Sequence, residues 1–327
     1  MPNDFASGIV AGAPVAGRDL AGAAVSMEKA VGYARIACDN ETLVEDAMVL
    51  KHDRLFLLTN HHGDIDPPGS CGLGLFHDDT RILSHYALQV AGGPPTMLSA
   101  QVLRPYATQI DLAVSDLGFG GSRWDPKHAV HIRRELLLDD VLMERLTLTN
   151  YLITPIEYWI ELLVGCDFAD IFEVRGWNRQ RRGEFYAPQV ERDRITFTYR
   201  GTDGQLIRSG VHFRDVPDEL DGRCARWRFQ LDPNTSLERL WEVQLEPEVP
   251  ERSSGTRVYP VAPMDMRRSR LSELYDRWNA QCSRWTSDVE VFDATLLRAI
   301  DDLRALYVEA DNEQVISAGI PWYSTVF

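Results

Sequence analysis

The segment DFADIFEVRGW, residues 167–177, gathers residue types that recognise hydroxyl-rich ligands. Asp170, Glu173 and Arg175 can exchange hydrogen bonds with hydroxyl groups. Phe168, Phe172 and Trp177 offer flat faces to apolar C–H patches. The same mixture suits a loop at a domain interface, where aromatics pack and charges pair across. The residues alone leave both uses open. Acid–base cleavage of a glycosidic bond asks for two carboxyl groups, about 5–5.5 Å apart for retention or about 6.5–9.5 Å apart for inversion. Asp78-Asp79 and Asp139-Asp140 are adjacent acidic pairs, but neighbours on a strand point to opposite faces. They read as turn caps and as partners for Arg81 or Arg134. His61, His62, His77 and His85 supply no HxH or HxxxH pair beside a carboxylate on one element, so no metal site is expected. Gly72-Leu73-Gly74 is an incomplete nucleotide fingerprint without a βαβ unit around it. No cofactor is expected either.

These residues need a scaffold, and the chain can build one. Its 327 residues allow one large domain or two ordinary ones. Hydrophobic residues make up 44 % and charged residues 25 %, enough apolar material for a sizeable core. The formal net charge of −15 argues against a nucleic-acid partner, which requires a basic surface. A neutral ligand such as a sugar is compatible with it. Cys38, Cys71, Cys166, Cys224 and Cys282 are odd in number and scattered, with no CxxC pair. Reduced thiols in a cytoplasmic protein are the expectation. No window of about 20 apolar residues is present, and the N-terminus lacks a signal-peptide pattern, so no membrane partner is expected.

Residues 1–40 are rich in Ala and Gly without a clean period and read as a mobile segment. From about residue 41 the texture becomes that of an antiparallel sheet protein. Runs at 54–60, 81–90, 128–140, 142–152 and 156–168 read as strands. RITFTYR (Arg194–Arg200) alternates apolar and polar residues, and Asp203-Gly204 marks a hairpin turn after it. The stretch 225–249 gives two more strands around Asp232-Pro233-Asn234. After Pro250 the period changes. Leu271, Leu274, Tyr275, Trp278, Cys282 and Trp285 predict a helix over 269–288. Leu296, Leu297, Ile300, Leu303, Leu306 and Tyr307 predict a second over 293–309, with Asp293 as its N-cap. The apolar, aromatic ending AGIPWYSTVF reads as a segment cut from a longer domain.

Taken together, ETLV near residue 41, FLLTN with HHGDIDPPGSCGLGLFHDDTRILSHY, RRELLLDDVLMERLTLTNY and DFADIFEVRGW resemble the N-terminal domain of amylo-α-1,6-glucosidases, the glycogen-debranching family. DDLRALYVEADNEQVISAGIPWYSTVF is similar to the start of that family's catalytic domain. The resemblance covers residue 40 onward. It implies a mainly β protein: a large antiparallel β-sandwich (supersandwich) over 41–250 and a linker over 251–268. C-terminal α-helices over 269–327 would then begin a truncated helical toroid. It further implies an enzyme acting on α-1,6 branches of a glycogen-like α-glucan, with Trp322 stacking on a terminal glucose beside Tyr323. A buried aromatic is the other reading of Trp322. The family's Gly-Arg-Asp element and catalytic carboxylates would lie beyond Phe327, so no catalytic residue is assigned within the chain and its missing C-terminal domain becomes its expected partner. The alternative is a stand-alone β-sandwich that binds glucan or another protein.

Overall fold

Alternating apolar and polar residues dictate most of this architecture, as the computed structural model of residues 46–66, 72–114, 130–177, 179–246, 262–310 and 313–320 makes plain. The described chain opens with a four-stranded meander of β1 (Met48–His52), β2 (Leu55–Thr59), β3 (Gly74–His77) and β4 (Thr80–Leu83). Asp53 and Asp78 turn its tight corners in the left-handed region, at φ 47° and 50°, a conformation that short polar side chains tolerate. Then come β5 (His85–Val90), β6 (Thr96–Arg104), β7 (Ala107–Val114), β8 (Val130–Leu138), β9 (Leu142–Asn150) and β10 (Ile156–Gly165). A single helical turn, α1 (Ile171–Val174), precedes β11 (Glu184–Phe185), β12 (Gln189–Glu191), β13 (Arg194–Arg200), β14 (Leu206–Phe213), β15 (Glu219–Leu220), β16 (Cys224–Leu231) and β17 (Ser236–Leu245). Two long helices, α2 (Met264–Gln281) and α3 (Glu290–Ala305), lead to a terminal hairpin of β18 (Tyr307–Ala310) and β19 (Glu313–Ile316).

The large sheet runs β11-β13-β14-β17-β9-β8-β7-β6, with β12 also paired to β13. A second sheet runs β15-β16-β10-β5. Every strand pairing is antiparallel. The two sheets meet face to face where Trp227 of β16 stacks on Trp241 of β17, with centroids 5.6 Å apart. β16 shows how the pattern works. Ala225, Trp227, Phe229 and Leu231 are buried while Arg226, Arg228 and Gln230 face outward. The expected antiparallel β-sandwich is thus the fold of this chain.

The large sheet is covered on its second face too, around its middle. Leu137 and Met143, partners in the β8–β9 register, point away from the main core. With Tyr106, Ala107 and Val141 they meet Met264, Leu271 and Tyr275 of the α2 segment in a separate apolar cluster. Tyr106 and Tyr275 pack with ring centroids 4.9 Å apart. Helix α2 is therefore part of the β-domain's own packing.

Several boundaries differ from the sequence-based expectation. The run 81–90 is two strands in two sheets. Ser84 is the switch, its N–H bonding the carbonyl of Gly165 at 2.8 Å. The strands of 225–249 likewise enter different sheets, joined through Asn234 at φ 56°. Helix α2 starts at Met264, directly after Pro263, and ends at Gln281, leaving Trp285 outside it and exposed. In α3 the cap position is Val289. Asp293 lies inside the first turn, where its carboxylate accepts from the N–H of Ser287 at 2.9 Å. Residues 1–40 lie outside the described residues.

Among the buried side-chain polar atoms without a hydrogen-bond partner in the described residues, Lys51 Nζ carries the largest consequence for pH. Lys51 is 1 % exposed and its Nζ has no hydrogen-bond partner among the described residues. Burial pulls its pKa down to about 8, against the opposing charges of Asp53 and Asp78. Lys51→Met should therefore stabilise the fold at pH 7, by about 1–3 kcal/mol, the usual cost of a buried unsatisfied polar group. Because the folded pKa lies below the unfolded one, the unfolded chain binds the proton more tightly between about pH 8 and 10.5. Stability contributed at this site should rise across that window in the parent and stay flat in the Met variant, as urea titrations at several pH values would show.

Candidate functional site

The 167–177 segment is built by the end of β10. Beyond Gly165, Phe168 adopts a left-handed backbone at φ 46°. This conformation costs a bulky residue about 1–2 kcal/mol. Its ring offsets that by entering the core, stacked on Tyr199 at 5.5 Å and tilted against Phe185 at 6.3 Å. Asp167 is gripped by Arg81, whose Nε donates to Oδ1 at 3.1 Å and whose Nη2 donates to Oδ2. Burial pushes the Asp167 pKa up, but the Arg81 guanidinium outweighs it and holds the carboxyl below its usual range. Backbone bonds from Arg81 N–H to Ala169 and from Ile171 N–H to Asp79, each 2.8 Å, zip the segment to the β3–β4 turn.

Asp170 and Glu173 form a capping box around α1. Glu173 N–H donates to Asp170 Oδ1 at 2.8 Å, and Asp170 N–H donates to Glu173 Oε2 at 3.3 Å. Each carboxylate also has a guanidinium. Arg179 pairs with Asp170, and Arg182 Nε lies 2.9 Å from Glu173 Oε1. Arg175 closes the helical turn, its N–H bonding the carbonyl of Ile171 at 3.1 Å. Phe172 and Trp177 stay outside, 46 % and 72 % exposed, with ring centroids 6.1 Å apart. The structure thus brings Asp170, Glu173 and Arg175 together on one turn beside two open aromatic faces. Trp322 and Tyr323 lie outside the described residues.

The apolar residues of this segment pack away from helix α2. Phe168, Ala169, Ile171 and Val174 belong to the main core, alongside Phe185 and Tyr199 from the β11–β13 edge of the large sheet. Helix α2 sits in the second cluster, on the other face of that sheet over β7, β8 and β9. The reason is local: Phe168, Ala169, Ile171 and Val174 bury themselves against the sandwich, while Phe172 and Trp177 stay exposed.

Asp78, Asp139 and Asp140 meet arginines other than Arg81 and Arg134. Asp78 pairs with Arg54 and lies 3.3 Å from His77 Nδ1. Asp139 is fully buried and receives Arg267 at 3.0 Å and Arg270 at 2.5 Å, both from α2. Its neighbour Asp140 points to solvent. His52, which sequence spacing does not connect to Asp139, comes within 3.5 Å of it. His52, Asp139 and Asp140 offer three ligand atoms within 4.8 Å of one another. Two guanidinium groups already supply the positive charge there, which makes the set a poor fit for a cation. Arg145 to Asp265 and Arg268 to Glu135, each 3.0 Å, complete the fastening of α2.

A third cluster lies where sequence reasoning expects only core. Arg134 is fully buried and donates from Nε to Glu144 Oε1 at 2.6 Å, from Nη1 to Asp64 Oδ1 at 2.5 Å, and to the carbonyl of His62 at 2.7 Å. Tyr86 donates its hydroxyl to Glu144 and accepts from Trp241 Nε1 at 2.5 Å. The available signal was an Arg at an inward position of a period-2 strand and a Glu at an inward position of the next, diagonal to it in the register, with Arg134 opposite Leu146 and Glu144 opposite Leu136.

The fold and these sites define a β-sandwich domain whose carboxylates are tied to arginines and whose outer face carries a helix. The chain matches the family model described as the N-terminal domain of some glycogen debranching enzymes over residues 50–242, more than half its length. It belongs to that family. No curated protein sequence matches it. Among solved structures it is similar to a provisionally named kojibiose phosphorylase from the human microbiome, at 11 % identity and a TM-score of 0.41, covering 78 % of this chain and 34 % of that one. A galactose mutarotase-like protein from Clostridium acetobutylicum is similar at 7 % identity and a TM-score of 0.36, covering 61 % of this chain and 95 % of that one. This chain spans about a third of the kojibiose phosphorylase chain. Likenesses this weak say nothing about chemistry.

Two substitutions test the packing described here. Arg134→Met strands Glu144 and Asp64 in the core and should cost about 3–5 kcal/mol in urea unfolding. Asp139→Ala should unseat α2 while leaving the sandwich intact. Amide exchange should then accelerate over 264–281 and stay slow in β8, β9 and β17. Equal loss of protection in both places would refute a separable helix.

Proposed function

We propose that this chain is the non-catalytic front part of a glycogen-debranching-type α-glucosidase. It supports a catalytic helical domain that cleaves α-1,6 branches of a glycogen-like α-glucan, and it helps shape the cleft of that enzyme. The observation that carries this reading is the seating of α2. An apolar cluster and ion pairs from Arg267, Arg268 and Arg270 fix this helix on the outer face of the large sheet. The following helix α3 turns Val291, Phe292, Leu297 and Leu303 to solvent, each at least 46 % exposed. Apolar side chains in that number on one helix suit a protein partner, and further helices of the catalytic domain are the partner proposed. Asp170, Glu173 and Arg175, with Trp322 and Tyr323, remain the proposed sugar-facing residues of the complete enzyme. Exposed Phe172 and Trp177 support the first three. The structural duties of Asp170 and Glu173 would make that contact indirect, through the shape of the turn.

Among the described residues no helix is long and apolar enough to cross a membrane. A cytoplasmic location is part of this proposal, in keeping with the free thiols of Cys166, Cys224 and Cys282.

The purified 327-residue chain should release no measurable glucose from a branched limit dextrin. The same residues within a polypeptide that continues into the catalytic domain should do so. Loss of a placed acid or base alone removes about 10²–10⁴-fold in rate, and this reading assigns both to the continuation. Sustained turnover by the chain alone, unaffected by further purification, would refute the non-catalytic role.

A further inference from the structure

The second sheet carries a cleft that none of these roles uses. It has a volume of about 890 Å³ and is lined by Trp159, Pro94, Pro95, Glu157, Glu161 and Arg226, among others. That size is within the range of ligand-binding clefts, about 300–1,000 Å³. Its floor is the outward face of β10. Along this strand Ile156, Ile160, Leu162 and Val164 are buried, which turns Glu157, Trp159 and Glu161 to the other side. Trp159 is 37 % exposed. An aromatic ring left open on a strand whose other face packs into the core is a flat apolar platform held on a rigid support.

The charges beside the ring decide what it can hold. Glu157 pairs with Arg228, Glu161 pairs with Arg226, and Arg226 Nη1 also donates to Glu219 at 3.0 Å. Three carboxylates share two guanidinium groups across the β10–β16 register, where Trp159 lies opposite Arg228 and Glu161 opposite Arg226, so every charge is paired and one negative charge is left in excess. That excess repels an anion, and a cation would have to displace guanidinium groups already paired with the carboxylates. Hydroxyl groups do gain, because a paired carboxylate keeps free lone pairs and a paired guanidinium keeps free N–H groups. An aromatic platform flanked by such donors and acceptors matches a neutral carbohydrate, whose ring stacks while its hydroxyls bond sideways.

The lip is shaped to keep the platform open. β5 ends in a two-residue turn with Ala91 at φ 54° and Gly92 at φ 81°. Val90 N–H bonds Gly93 at 2.9 Å, and Ala91 N–H bonds the carbonyl of Trp159 at 3.0 Å. The turn is thereby fastened to the strand that carries the ring. Ala91 holds a left-handed backbone that a β-carbon disfavours, and the small Ala91-Gly92-Gly93 sequence leaves a low rim. Pro94 and Pro95 add an apolar wall without backbone donors.

We propose that this cleft is a binding site for a neutral α-glucan segment, with Trp159 as its stacking platform; the choice of an α-glucan rests on the function proposed above. The site lies on the sheet that does not carry α2, so it can hold a substrate branch while the helical side of the molecule is occupied.

Native gel electrophoresis of the full chain in gels containing glycogen, or a soluble cellulose ether as a β-linked control, tests this. Glycogen should retard the parent chain and the cellulose ether should not. Trp159→Ala should weaken the apparent affinity at least tenfold with an unchanged urea midpoint, and Trp159→Phe should fall between. Retardation of Trp159→Ala equal to that of the parent overturns the site and leaves the α-glucan reading standing. Trp159-dependent retardation by the cellulose ether alone overturns the α-glucan assignment and the function it rests on. Absence of retardation in both gels overturns the cleft as a carbohydrate site and leaves the hydrolase assay above to judge the wider function.

Discussion

The whole sandwich is organised around a charge in its middle. Arg134 from β8 holds Glu144 of β9 and Asp64 of the loop after β2, and Glu144 in turn takes the hydroxyl of Tyr86 from β5. Trp241 of β17 closes the set from the large sheet. One guanidinium thus ties together all three sheets of the β-domain. Such a network rarely adds net stability over an apolar core, because desolvation consumes most of the attraction. Its effect is on uniqueness: any slip of β8 against β9 by one residue would turn Arg134 or Glu144 to the wrong face and leave the other charged and alone. Burial raises the Tyr86 pKa well above its usual value, and Glu144 adds to this. The phenol therefore stays protonated and remains a donor to Glu144. Gly63 belongs to the same constraint. It has φ +80°, and a β-carbon there would come within 2.6 Å of Ile110 Cδ1 and 3.3 Å of Arg134 Cζ. The HHGDI sequence is what lets the loop carry Asp64 to the arginine.

The second constraint is that the large sheet has two buried faces but only at its centre. Leu137 and Met143 are as buried as Leu136 and Leu142, their neighbours on the opposite face. Something must cover them, and α2 does. The ion pairs around it then fix its direction. Arg267 and Arg270 close on one side chain, Asp139, in the β8–β9 turn, while Arg145 on the sheet reaches Asp265 near the helix start. A helix pinned at its first turns and at its apolar stripe has little freedom to swing. α3 meets α2 chiefly through Asn279 to Asp301 and Trp278 to the carbonyl of Ile300. Its position is therefore inherited from α2 and from Arg104, which bonds Asp301 at 2.5 Å.

The period-2 runs made the β class, most strands and the Asp203-Gly204 hairpin legible, because half-buried strands must alternate. Sheet membership was not legible. Ser84 divides one extended run between two sheets, and no propensity marks it, since both halves are equally good strands. The helix start was misplaced because Pro263 supplies it without a side-chain cap. In the candidate site, the residue types of 167–177 announced a cluster but not its orientation. That depended on Arg81, 86 positions away, capturing Asp167. The Trp159 cleft was hidden as well. The sequence reads β10 only as a strand, and pairing with β5 and β16 shows which of its faces is open.

Where protons could move in this domain bears on what it contributes to an enzyme. A general acid needs a raised pKa and access to the substrate together. Glu242 has the first: burial pushes its carboxyl up, against His212, Arg214 and Arg267. It lies opposite His212 in the β14–β17 register, and His212 is engaged by Glu246 at 3.0 Å. At 6 % exposure, however, Glu242 has no path to a glycosidic oxygen. Asp139, Glu144 and Asp170 are each committed to an arginine, with Asp139 and Glu144 also fully buried, and the Arg81 guanidinium holds the Asp167 carboxyl below its usual range. The open surfaces, at Trp159 and at Phe172 with Trp177, carry aromatic faces with ion-paired neighbours. On the reading proposed above, such surfaces bind and orient polyols without exchanging protons with them. Under the function proposed above, a domain so arranged holds a glucan and braces a neighbouring domain, with bond cleavage left to acids placed elsewhere.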